Sequence, residues 1–85
     1  MGTFKINDVF YLTGRGPVLI GNLVNGDCIP GNYIELLFKN DKLLFQINYV
    51  EAVRSQDNPI GLRISDNPDI DFKYFIGQIG VLKKN

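Results

Sequence analysis

Three carboxylates within six residues (Asp66, Asp69 and Asp71), a glycine-flanked cation in Gly14-Arg15-Gly16 and a lone thiol at Cys28 are the groups whose types and spacing could do chemistry. The acids would suit a hard cation such as calcium, the Gly-Arg-Gly string a phosphate, and the thiol a nucleophile. Each falls short on spacing or company. The carboxylates fit no EF-hand loop, and the Asn67-Pro68 between them is turn chemistry, so a solvated loop is expected. Gly14-Arg15-Gly16 leads into a strand pattern instead of a helix. No Gly-Lys pair occurs anywhere, so a Gly-x-x-x-x-Gly-Lys-Ser/Thr phosphate loop is missing. With no histidine in the chain, Ser-His-Asp and Cys-His arrangements are impossible and the usual zinc ligand is lacking. Cys28 has no activating base nearby in sequence and is expected to behave as a small, inert hydrophobe. As the only cysteine, it excludes an internal disulfide. The expectation is a chain that is not an enzyme, binds no nucleotide by itself and needs no cofactor or metal.

The elements that must position these groups are almost all strands. Gly and Pro interrupt the chain about every ten residues, and between the breaks apolar positions alternate with period two. A first strand is expected over Phe4 to Leu12, where Phe4 and Ile6 share one face and Val9 and Tyr11 the other. The phase slips at Asn7-Asp8, which calls for a bulge there or a strand that begins after Asp8. The turn Thr13-Gly14-Arg15-Gly16 feeds a second strand, Pro17 to Val24, paired antiparallel with the first or lying close to it. Asn25-Gly26 reads as a hairpin signal, because both residues tolerate positive φ. Gly21, inside the second strand, leaves room for a neighbouring chain or ring to approach.

After Pro30-Gly31, Ile34, Leu36 and Phe38 share one face of a third strand, and Lys39-Asn40-Asp41-Lys42 turns into a long fourth strand from Leu43 to Arg54. There Phe45, Ile47, Tyr49 and Val53 are expected on one face, with Gln46, Asn48 and Arg54 on the other, and the length implies a bend. Ile60, Leu62 and Ile64 form a fifth strand. Asp66 to Gly77 is a loop that packs Phe72, Tyr74, Phe75 or Ile76 back onto the body, and Gln78 to Leu82 is the sixth strand. Six strands without a helix of any length predict an all-β fold, a small closed six-stranded antiparallel barrel, which leaves no exposed sheet edge. Residues 1–85 are expected to form this single domain.

Nine basic and nine acidic side chains cancel, and they cancel again within residues 1–56 and 57–85 taken separately. A phosphate-backbone binder would carry clustered Lys and Arg, so the bulk charge disfavours nucleic acid. A composition of 45% apolar and 21% charged residues is that of a globular protein. No secretory leader pattern and no apolar run of membrane-spanning length is present, so a cytoplasmic protein is expected.

The stretch Ile6 to Ile34 resembles the opening of the second domain of elongation factor Tu and related translational GTPases. That family's pattern runs Ile-x-Asp-Val-Phe, Gly-Arg-Gly, then Val-x-x-Gly-x-Val-x-x-Gly-x-Ile-x-x-Gly. Asp57-Asn58-Pro59-Ile60-Gly61-Leu62 and Gly77-Gln78-Ile79 are similar to two later family segments at similar separation, so the likeness covers about residues 6 to 83. It departs at Ser55-Gln56, where the family has Ala-Gly, and at Pro59-Ile60. The resemblance implies the barrel of the translation-protein type, used as a docking unit and not for chemistry.

Two uses are expected from these observations. The first is a non-catalytic module for protein-protein contacts, including a homo-oligomer, through the barrel wall and the loop from Asp66 to Gly77. The alternative is a translation-associated accessory that touches tRNA or ribosomal RNA. The residues for partner contact are Arg15, Arg54, Arg63 and Tyr74, and convergence of Arg15, Arg54, Arg63 and Lys73 on one face would favour RNA.

Overall fold

Strand β1 (Gly2–Leu12) carries the bulge foreseen at Asn7-Asp8: its register against β2 (Gly16–Gly26) slips between Ile6 and Asp8. Phe4 and Ile6 before the slip and Val9 after it therefore all point inward and are buried. The computed structural model describes residues 2–52 and 59–85. The remaining strands are β3 (Tyr33–Phe38), β4 (Asp41–Ala52), β5 (Ile60–Ile64) and β6 (Ile79–Lys83), with a single turn of 3-10 helix at Phe72–Phe75 before β6. All pairings are antiparallel, in the closed order β1-β2-β5-β4-β3-β6, so the predicted barrel is present and every strand has two neighbours.

Two local expectations need correction. Asn25-Gly26 forms no hairpin. Both residues continue β2 and pair with Thr3 and Gly2, because β2 and β3 are separated in the barrel and the chain must cross its end before β3 begins. In β4 the alternation breaks at a second bulge: the register against β5 shifts between Ile47 and Tyr49. Tyr49 thus leaves the inner face that Phe45 and Ile47 occupy, and Val50 takes its place against the core. The expected partners on that strand, Val53 and Arg54, lie outside the described residues.

The inner faces contribute Phe4, Ile6, Val9, Leu19, Ile34, Leu36, Phe45, Ile47, Leu62, Ile64 and Leu82. Gly80 is part of this packing, since a Cβ there would lie 2.6 Å from the Ile34 side chain and 2.8 Å from that of Leu36. One barrel end is closed by the segment between β5 and β6, which inserts Ile70, Phe72 and Phe75. Phe72 and Phe75 meet each other and Phe45 edge to face at 5.1–5.8 Å between centroids, the geometry that aromatic quadrupoles favour. Asp71 caps the helical turn by accepting from the Lys73 N–H, and the Tyr11 hydroxyl accepts from the Phe72 N–H at 2.8 Å. Tyr11 thereby ties the plug to β1.

Candidate functional site

Outward positions of β1, β2, β5 and β4 bring together side chains from four neighbouring strands. On β2 the inward residue Leu19 is flanked by Val18 and Ile20 on the outer face. The registers place Val18 opposite Phe10 of β1 and opposite Arg63 of β5, and Arg63 opposite Tyr49 of β4. Phe10, Val18, Arg63 and Tyr49 therefore form a row across four adjacent strands. Val18 has 0% exposure although it belongs to no part of the core cluster, so its neighbours in the row cover it. Phe10 and Tyr49 remain 44% and 49% exposed.

Arg63 sits at the centre of the row. Its guanidinium lies over the Tyr49 ring, 4.7 Å from the centroid, and its Nη2 is 3.8 Å from Glu51 Oε2. Its Nε is buried and has no hydrogen-bond partner. The ion pair is too long for a hydrogen bond and its side chains are 24% and 34% exposed, so its contribution to stability is small. Ring stacking holds the planar cation in place at modest entropic cost, and the long ion pair to Glu51 leaves its Nη groups without a protein hydrogen bond among the described residues. Gly61 keeps the floor beside it low: a Cβ there would press on Glu51, Ile20 and Val18 at 3.3–3.4 Å. An exposed aromatic, a stacked arginine and a covered aliphatic in one patch form the composition enriched where proteins bind proteins.

The other residues expected from the sequence go elsewhere. Arg15 is exposed in the β1–β2 turn and, with Tyr11, Leu12, Gly14, Gly16 and Asp66, lines an open cleft of about 420 Å³. Asp66 reaches close to Gly16, with its Cβ 3.5 Å from where a Gly16 Cβ would sit, so the cleft opposes a carboxylate to its arginine and is poorly suited to an anion. Asp8 accepts from the Val9 N–H at the bulge, and about 13 Å of extended chain to Leu12 separates it from the turn that carries Arg15. Tyr74 is half exposed, but its hydroxyl accepts from the Lys39 N–H at 3.1 Å and its ring packs edge-on to Phe38 at 5.0 Å. It holds the plug to the β3–β4 turn. Arg54 lies outside the described residues.

Asp66 accepts from the Asn67 N–H and Asp71 from that of Lys73, so both act locally in turns. Among the described residues no group of three His, Cys, Asp or Glu side chains is placed to hold a metal ion. Cys28 is half-buried, and burial together with the negative charge of Asp27 pushes its thiol from 9.0 up to about 11, so it is protonated at neutral pH and a poor nucleophile. Lys73 is exposed on the helical turn.

Phe10, Val18 and Tyr49 were not singled out from the sequence as a group. Phe10 carried a readable signal, since it lies out of phase with the inward Val9, but its meeting with Arg63 depends on β2 and β5 being neighbours. Among the described residues no helix is long and apolar enough to cross a membrane. Compared with known proteins, the chain matches no family model, no curated protein and no solved structure.

Proposed function

We propose that this barrel is a non-catalytic docking module that binds a protein partner through the row Phe10, Val18, Arg63 and Tyr49. The single observation that carries the reading is Arg63 stacked on an exposed Tyr49 over a covered apolar floor, held to Glu51 only by a long ion pair. Such a group gains affinity by desolvation in a contact, where each hydrogen bond it forms is strengthened. The likeness of Ile6–Ile34 and Gly77-Gln78-Ile79 to the second domain of elongation factor Tu supports the same use, because that barrel serves its family as a docking unit.

The alternative of RNA contact has less support. Arg15 is in the β1–β2 turn beside Asp66, Arg63 is on the β5 wall beside Glu51, and Lys73 is on the helical turn next to Asp71, so these three cations do not share one face.

The test is site-specific photo-crosslinking in cells from a photoreactive residue at Phe10, followed by identification of the adduct. A protein adduct that disappears in Arg63→Ala and Tyr49→Ala, both still folded by circular dichroism, is the expected result. Adducts that persist in both variants would sink the assignment to this wall. Salt-dependent binding of the chain to tRNA, with affinity falling steeply as salt rises, would replace it by the RNA reading.

A further inference from the structure

The closed strand order places β3 and β6 directly across the barrel from β2 and β5. This second wall is apolar where the rest of the chain predicts polar residues. Its register sets Leu44 of β4, Glu35 of β3 and Val81 of β6 side by side; Leu37 pairs with Lys42 two residues further along β3, and Ile79 lies two residues before Val81 on β6. Leu44 and Ile79 are 56% and 57% exposed, and Leu37 and Val81 are exposed beside them. Single exposed aliphatics are ordinary on protein surfaces, but four on three adjacent strands make a contiguous strip.

Charge around the strip has one dominant sign. Lys42, Lys83 and, across β1, Lys5 border it, and the one carboxylate within it is Glu35, whose Oε2 lies 3.9 Å from Lys83 Nζ. Three ammonium groups against one carboxylate leave this wall positive on a chain whose total charge is zero. A second copy docking wall to wall would bring the same excess against itself. An anionic lipid surface would meet Glu35 in the middle of the contact, and the aromatic on this face, Tyr33, is partly buried between Gln46 and Lys83. A protein segment whose aliphatic side chains are flanked by Asp or Glu matches both the strip and its border.

We propose that the outer wall of β4, β3 and β6 is a second docking surface, which takes an acidic, aliphatic-rich segment of a protein partner. It shares only β4 with the row around Arg63, and because β3 and β6 lie across the barrel from β2 and β5 both surfaces can be occupied at once. The module then acts as a bridge.

Selection of random displayed peptides on the intact chain tests this. Enriched peptides are expected to combine Leu, Ile or Val with Asp and Glu, and to lose about tenfold in affinity on Leu37→Glu and several-fold on Lys42→Glu. Tyr49→Ala should leave that binding unchanged. Lys42 is fully on the surface, so Lys42→Glu keeps the test valid if Leu37→Glu fails to fold. Each of four results overturns the proposal: no enrichment, enrichment of basic or uncharged peptides, a doubled mass in solution abolished by Leu37→Glu, or binding to phosphatidylglycerol vesicles abolished by it. Acidic peptides lost only in Tyr49→Ala would overturn it too, while leaving the Arg63 wall as the docking site.

Discussion

The side-chain amide of Gln78 binds Leu37 as a strand would: the Leu37 N–H donates to Gln78 Oε1 at 3.2 Å and Gln78 Nε2 donates to the Leu37 carbonyl at 2.7 Å. On its other side the Gln78 carbonyl accepts from the Ile6 N–H at 2.9 Å. One residue thus joins β3 to β1 just before β6 begins, at the place where the barrel would otherwise stay open. Gln78→Leu keeps the volume and removes both bonds to Leu37, which are exposed to water, and should cost about 0.5–1.5 kcal/mol. For a domain of this size that lowers the melting temperature by several degrees. Hydrogen exchange at the Leu37 amide should accelerate in parallel, and an unchanged exchange rate would show that water replaces the amide without loss.

Two glycines of the same hairpin separate steric need from conformational need. A Cβ on Gly21 would lie 1.8 Å from the Lys5 carbonyl oxygen, backbone against backbone at the bulge, whereas one on Gly14 meets nothing within 4 Å and only φ +75 is strained. Gly21→Ala should therefore cost about 3 kcal/mol or more, and Gly14→Ala about 1 kcal/mol. Urea denaturation of the two variants checks the ranking, and equal losses would contradict it.

Tyr11→Phe removes the acceptor for the Phe72 N–H but keeps the ring, whose edge-on contact with Phe72 is at 6.2 Å. A loss of about 1 kcal/mol is expected. The loss should be local, with faster exchange at Phe72 and the neighbouring plug amides and little change in β3 or β4.

Cys28 makes stability fall at high pH. Its thiol ionises at 9.0 when unfolded and near 11 when folded. Between those values the folded state holds a proton that the unfolded state has released, so stability declines as pH rises through this window and is insensitive to Cys28 below it. The decline should be smaller in Cys28→Ala. Alkylation by iodoacetamide should stay slow at neutral pH and rise only as pH approaches the folded value; rapid labelling at neutral pH would contradict the burial of the thiol.

Much of the fold could be read from local pattern. Period-two runs marked the strands, the phase slip at Asn7-Asp8 marked the β1 bulge, and Gly21 marked the close approach of Lys5 and the Phe4 ring. These are short-range consequences of pleat and backbone sterics, so they are written in consecutive residues. The fourth strand escaped because its bulge at Asn48 hides inside an alternation that looks unbroken. Once the register slips, Tyr49 turns outward, and nothing in its neighbours reports this.

By itself the sequence determined the kind of object: an all-β chain without histidine, balanced in charge, whose glycines and prolines space six strands. Only the tertiary structure decided which side chains share a surface. Phe10, Val18, Tyr49 and Arg63 come from four strands that become adjacent through the order β1-β2-β5-β4, and Leu37 and Ile79 face the opposite direction because β3 and β6 close the barrel on the far side. The physical reason is that closure satisfies every edge at once. It is therefore a property of all six strands together, and the non-consecutive pairs it creates leave no periodic trace in any one of them.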